Sequence, residues 1–227
     1  MNTSMNQPRV FVSSTIGDLR DLRSALRYWM EQAGCDVLLS EYADFDRRVD
    51  HNTYESCFAA IGTCSYYILI IGSRKGSMYN DEVTVTHQEF RVALQLAQKR
   101  SINLIVFVRS DVMLAIHERR AEISGGARHN ETMMRQSSFV DDMEYTERFI
   151  SEIERSRLGS SLTEGTDGNI WINRFASFAD IIDVLKINMN LRHRIHQQAL
   201  LQNVLLEAKG NIACFVLKDK GFPILAS

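Results

Sequence analysis

The sequence predicts an α/β fold, a parallel sheet with helices on both faces, and three observations carry that prediction. Short unbroken apolar runs, such as Val10-Phe11-Val12 and Tyr66 to Ile71, read as strands covered on both sides. Stretches with apolar residues at three- and four-residue steps separate them and read as helices. Strands and helices alternate along the first 190 residues, which implies right-handed crossovers between parallel neighbours. The expected architecture is flavodoxin-like, with strand order 2-1-3-4-5.

The elements follow in order. After the polar tail 1–8, Val10-Phe11-Val12 is the first strand, and Ser13-Ser14-Thr15 supplies side chains able to cap a helix. Leu19, Leu22, Leu26, Trp29, Met30 and Ala33 form the apolar stripe of that helix, with Asp18, Arg20, Asp21, Arg23 and Arg27 assigned to its other side and Gly34 as its stop. Asp36 to Ser40 is a second strand. The polar loop Glu41 to Asn52 leads to a helix marked by Tyr54, Phe58 and Ile61. Tyr66 to Ile71 is the most hydrophobic strand, the helix carrying Glu89 follows and runs to about Arg100, and Ile102 to Val108 is the fourth strand.

Beyond Arg109 the pattern weakens, and residues 110–138 read as an insertion. Its polar part, Ser124 to Ser138, suits either a lid or a surface excursion. Helical spacing returns over Phe139 to Leu158. A Ser/Gly-rich loop then leads to a fifth strand at Ile170-Trp171-Ile172, and Ser177 with Asp180 resembles a capping box opening a helix through Ile181, Ile182 and Leu185. The domain is expected to span 9–190. Residues 191–227 form an extension: a helix over Leu191 to Lys209 and two short strands, Ala213 to Leu217 and Phe222 to Leu225. This extension is a candidate oligomerisation segment, with packing back on its own domain as the alternative.

Composition narrows the function classes. The chain has 227 residues, 45% hydrophobic and 24% charged, with a net charge of −2, which offers no electrostatic footprint for nucleic acid or an anionic membrane. No apolar run approaches the roughly 20 residues of a membrane span, and the polar start does not read as a signal peptide. A cytoplasmic protein is expected. Cys35, Cys57, Cys64 and Cys214 lack zinc-like spacing and read as buried thiols. His193 and His196 could share a helix face, but no carboxylate or thiol lies nearby in sequence and no metal site is assigned.

Three groups fall at the carboxyl ends of the expected strands, where open parallel sheets collect ligands. They are Ser13-Ser14-Thr15 with Asp18, the loop with Glu41, Asp44, Phe45 and Asp46, and Gly72-Ser73-Arg74-Lys75-Gly76-Ser77. The last brings two glycines and two cations to one turn, suited to gripping phosphate, or else a plain solvated turn. It is neither a Walker loop nor a GxGxxG fingerprint. Glu89 lies on the flank of the stripe Phe90, Ala93, Leu94 and Ala97. A half-buried carboxylate is expected there, either a structural ion-pair partner or an active-site acid.

Val10-Phe11-Val12-Ser13-Ser14-Thr15-Ile16-Gly17-Asp18-Leu19 resembles the opening of a TIR-like domain, of a kind of unknown function, found at the N-terminus of bacterial NACHT and related STAND proteins. The resemblance continues through Tyr67 to Gly76 and Thr84 to Phe90 and covers about residues 9 to 110. Lys75 departs from it, since an aromatic residue commonly follows the Arg of the Gly-x-Arg block. A second departure is that no ATPase module is read after the domain, so a stand-alone protein or one with a separately encoded defence partner is expected.

Enzymatic TIR domains cleave the nicotinamide–ribose bond of NAD with a glutamate on the helix after the third strand. The resemblance therefore implies Glu89 as the catalytic carboxylate and Ser13, Ser14, Asp18, Gly72, Arg74 and Thr86 as substrate-binding residues, with Asp44 and Phe45 closing over the site. NAD would be substrate, with no separate cofactor, in a homo-oligomeric effector of bacterial antiphage defence. Two alternatives remain: a non-enzymatic self-association or adaptor module, and a nucleoside or nucleotide N-glycosidase or deoxyribosyltransferase-like enzyme.

Overall fold

The computed structural model describes residues 7–45, 53–99, 101–124, 139–158, 168–191, 195, 199–200 and 202–210. Its sheet has five parallel strands: β1 (Arg9–Ser14), β2 (Asp36–Leu38), β3 (Tyr66–Ile71), β4 (Asn103–Arg109) and, after a two-stranded antiparallel ribbon of β5 (Arg157–Leu158) and β6 (Gly168–Asn169), β7 (Ile172–Phe175). Their order is β2-β1-β3-β4-β7, which is 2-1-3-4-5 in chain sequence among the sheet strands. The register sets Ser13 beside Leu69 and Ser14 beside Ile70.

Two apolar layers hold the helices to this sheet. On one face, α1 (Arg20–Gln32) and α6 (Phe178–Asn188) contribute Leu26, Met30, Ile181 and Leu185 against Val10, Val12, Ile68, Ile70 and Phe107. On the other, α2 (Thr53–Ile61), α3 (Val85–Gln98), α4 (Ser110–Ser124) and α5 (Met143–Arg155) bury Ile61, Phe90, Ala93, Ile116, Phe149 and Ile150 against Phe11, Tyr67, Leu69 and Val106. Alternate strand residues feed opposite layers, as the period of two in a pleated strand requires. This explains why the strand sequences are apolar throughout.

The structure differs from the sequence expectations in four places. Ser13 and Ser14 end β1, and α1 begins later, with Leu19 at its N-cap and no side-chain cap bond. Arg23 lies on the buried face of α1, because four-residue spacing puts it in one stripe with Leu19, Leu26 and Met30. Ser110–Ser124 is a helix of the sheet layer, anchored by buried Val112, Met113 and Ile116. The fifth strand starts at Ile172, while Trp171 is 80% exposed. That strand pairs with β4 alone among the described residues, so Asn173 and Arg174 are tolerated within it. Asn173 Nδ2 donates to the Val106 carbonyl at 3.0 Å.

Other expectations hold. Gly34 closes the end of α1 with φ 78°, and Asp180 accepts the Ser177 N–H at 2.9 Å at the start of α6. Cys35, Cys57 and Cys64 are buried. Residues 202–210 are helical and exposed. The two C-terminal strands, Cys214, residues 125–138, Asp46 and the His193/His196 pair lie outside the described residues. Among the described residues no helix is long and apolar enough to cross a membrane.

Candidate active site

A parallel sheet opens a crevice where the chain leaves one strand toward opposite neighbours. Here β1 connects to β2 on one side and β3 returns on the other, so the crevice lies over the carboxyl ends of β1 and β3. A cleft of about 620 Å³ occupies this region, lined by Ser13 to Gly17 from β1 onward, Arg23, Tyr54, Cys57, the loop residues Arg74, Gly76 and Ser77, and Val85, Thr86 and Glu89 of α3, with Asp141 at its edge. A depression of about 510 Å³ on the outer surface of α4 and α5 is lined by Arg120, Glu147 and Glu154, which pair with each other. Only the first combines enclosure with a buried acid.

Glu89 is that acid. It is 6% exposed, and the Ser13 hydroxyl donates to its Oε2 at 2.5 Å. Burial pushes its pKa up from the ordinary carboxylate range to about 7, although the Ser13 and Cys57 hydrogen bonds and the Arg23 charge pull the other way. The Tyr67 hydroxyl is buried in the same cluster without a hydrogen bond of regular geometry. Burial and the nearby Glu89 raise its pKa well above the usual phenol value, against the influence of Ser13.

Arg23 forms the second half of the site. Only 2% exposed, it meets both oxygens of Glu41 at 2.6 Å and donates from Nη1 to the Ser14 hydroxyl at 2.7 Å. Burial raises the Glu41 carboxyl, but the bidentate bond and charge of Arg23 outweigh this and hold it below the ordinary range. A buried arginine with both partners in place is satisfied; deprived of either, it becomes a liability.

The loop after β3 is shaped around Asp18. The carboxylate accepts the backbone N–H groups of Ser73 at 2.9 Å and Arg74 at 3.2 Å, and it also accepts from Thr15 Oγ1. A Cβ at Gly72 would overlap Asp18 Oδ2, which explains the glycine. Gly76, at φ 83°, adopts the left-handed turn that glycine favours. The loop is tied to the lead-in of α5 by Arg74 with Asp141, at 3.1 Å, and Lys75 with Asp142, at 2.9 Å. Arg74 is 60% exposed on its side chain, leaving its guanidinium accessible from the cleft.

Of the residues singled out from sequence, Ser13, Ser14, Arg74, Thr86 and Glu89 line one cleft. Asp18 and Gly72 form the loop beside it through backbone bonds and close approach. Asp44 and Phe45 do not line it. Asp44 pairs with Arg27 at 2.5 Å, and Phe45 is buried with its ring edge toward Phe11. Sequence reasoning missed Arg23, Tyr54, Cys57, Tyr67 and Asp141. Only Arg23 carried a legible signal, a charged residue at the point of the α1 stripe where an apolar one was due.

Fold and cleft together define an α/β domain of flavodoxin-like topology with a carboxyl group buried at its switch-point crevice. A family model described as a domain of unknown function (DUF4062) matches residues 9–158, from β1 through β5, and the chain belongs to that family. No curated protein matches the chain.

Proposed function

We propose that the protein cleaves the N-glycosidic bond of NAD, with Glu89 as the catalytic carboxylate. The observation that carries the reading is a buried glutamate in a cleft at the β1/β3 switch point, on a helix whose start resembles the catalytic segment of NAD-cleaving TIR domains. In this chemistry the bond between ribose C1′ and the nicotinamide nitrogen breaks, and its electron pair leaves with the base. The departing ring already carries positive charge, so no acid is needed to protonate it. The carboxylate stabilises the developing oxocarbenium ion and orients the ribose hydroxyls. In hydrolysis, water oxygen then bonds to C1′, and its surplus proton passes to Glu89 or to solvent.

The electrostatics fit a cationic substrate. A carboxyl group with pKa about 7 is only partly ionised at neutral pH, and a positive ring beside it favours the charged form. Arg74 would exchange Asp141 for the substrate's pyrophosphate. The raised pKa also supports a second reading, a nucleoside or nucleotide N-glycosidase, in which protonated Glu89 donates to a neutral leaving base. Biologically, the proposed role is a cytoplasmic effector or signal producer in bacterial antiphage defence, assembling as a homo-oligomer through residues 191–227. If purified wild-type protein, dilute and concentrated, releases no nicotinamide from NAD, the adaptor reading replaces this one. Release of base from nucleosides but not from NAD selects the second enzyme reading.

A further inference from the structure

The sequence resemblance implies that Ser13 and Ser14 contact substrate, yet in the structure the hydroxyl groups of the Ser13-Ser14-Thr15 motif are taken up within the protein. Ser13 donates to Glu89 Oε2 at 2.5 Å, Ser14 accepts from Arg23 Nη1 at 2.7 Å and donates to the Thr15 carbonyl at 3.1 Å, and Thr15 donates to Asp18. A hydroxyl has one proton to donate. The protons of all three are therefore already directed at protein oxygens. Each receiver or donor outside the motif is a charged side chain essential to the shape of the cleft: the acid on α3, the buried arginine on α1, and the aspartate that folds the loop after β3.

We propose, building on the reading of Glu89 as the catalytic carboxylate, that Ser13, Ser14 and Thr15 are positioning residues and that Ser13 fixes and polarises Glu89. Ser13 and Ser14 pair in register with Leu69 and Ile70 of β3, beyond the end of the β2 pairing at Phe11, so their hydroxyls are mounted on a strand bonded along its β3 flank. The Tyr67 hydroxyl lies beside Ser13, buried and without a hydrogen bond of regular geometry. The groups that face Glu89 are then Ser13 of β1, Arg23 of α1, Glu41 after β2, Cys57 of α2 and Tyr67 of β3. Ser13 aims its proton at the carboxylate at 2.5 Å, and Cys57 also hydrogen-bonds to it.

The test follows the Glu89 carboxyl group directly. Full-length protein labelled with 13C at glutamate carboxyls is titrated by NMR, with the Glu89 signal assigned from its loss in Glu89→Gln. Ser13→Ala is expected to raise the Glu89 midpoint by about one pH unit, the worth of one charge-assisted hydrogen bond. Ser13→Thr, which restores a hydroxyl, is expected to return it toward wild type, and Tyr67→Phe to raise it by less than Ser13→Ala. With NAD, Ser13→Ala is expected to lower kcat while KM changes little. A Glu89 midpoint unmoved in Ser13→Ala overturns the proposal. So does a raised KM with unchanged kcat, the signature of a substrate contact. If the wild type releases no nicotinamide, the NAD reading fails, and the titration alone still decides the role of Ser13.

Discussion

Helix α3 carries two buried polar residues, Glu89 and His87, on different flanks, and the contrast between their surroundings separates a cleft-lining acid from a structural joint. Glu89 faces the sheet and lines a cleft of about 620 Å³. His87 faces α5, where its ring stacks on Phe149 at 4.0 Å between centroids and its Nδ1 meets the Tyr145 hydroxyl at 2.9 Å. Its Nε2 sits 3.1 Å from Glu152 Oε2 but off the direction of a hydrogen bond. Burial pushes the His87 pKa down, more than the neighbouring Glu152 raises it, just as burial pushes Glu89 up. Both groups are driven toward their neutral forms. What differs is access: the carboxyl group borders the cleft, whereas the imidazole is sealed between two helices.

The sharpest way to break this contrast is Glu89→Gln. The amide preserves shape and can still accept from Ser13, but it cannot become negative as the oxocarbenium ion forms, so nicotinamide release is expected to fall by about 10²-fold or more. The same change is expected to stabilise the protein at high pH. Because the folded pKa of Glu89 is above its ordinary value, the group favours the folded state most below about pH 4.5, and that advantage is lost as pH rises through about 7. Above this window the cost of burying the charge approaches about 3 kcal/mol. Glu89→Gln should therefore melt several degrees higher than wild type at pH 8, with a smaller gap at pH 5. Equal melting temperatures at both pH values would show that Glu89 is solvated.

Arg23→Met tests whether the cleft depends on its buried cation. The change strands Glu41 and removes the donor to Ser14 Oγ, and removing one member of a buried pair costs about 3 kcal/mol or more. A fall in melting temperature of roughly 6–12 °C is expected for a chain of this size. Scanning calorimetry checks it. A fall of under 2 °C would place Arg23 in solvent and detach it from the site.

On the sealed side, Tyr145→Phe removes a hydroxyl that accepts the Thr84 N–H at 2.8 Å and meets His87. One buried N–H is left without its acceptor, for a cost of about 2 kcal/mol and a loss of roughly 4–8 °C. NAD turnover at 25 °C should stay within a factor of about two of wild type, since Tyr145 lies outside the lining of the main cleft. A collapse of turnover in a folded variant would join the two regions into one site.

How much of this was visible beforehand depends on the range of the interaction. The strand order and the flank position of Glu89 come from local periodicity, which the chain states openly in Val10 to Val12, Tyr66 to Ile71 and the stripe Phe90, Ala93 and Ala97. The Ser13 to Glu89 bond joins residues 76 apart, and Arg74 to Asp141 spans 67, so neither has a periodic trace. Arg23 is intermediate. Its helical phase marks it as buried, but the partners that permit the burial, Glu41 and Ser14, belong to two other segments. The fifth strand was displaced because an edge position removes the pressure for a continuous apolar run, leaving Ile170-Trp171-Ile172 as a misleading cue.

The smallest effect on stability is expected from Arg74→Ala, and it bears most directly on what enters the cleft. The Arg74 side chain is 60% exposed and its pair with Asp141 is also largely solvated, so screening and side-chain entropy leave the pair worth about 1 kcal/mol at most. The melting temperature is expected to drop by less than about 3 °C. Lys75 with Asp142 and the backbone bond from Asp141 N to the Ser73 carbonyl continue to tie the loop to α5. A cation contacting pyrophosphate contributes mainly to binding, so KM for NAD should rise about tenfold with kcat nearly unchanged. Raising the salt concentration should increase the wild-type KM and narrow its ratio to the variant, because an exposed charge pair is screened. A variant with unaltered KM and a much lower melting temperature would assign Arg74 to the structural side of the comparison, with its Asp141 bond as its function.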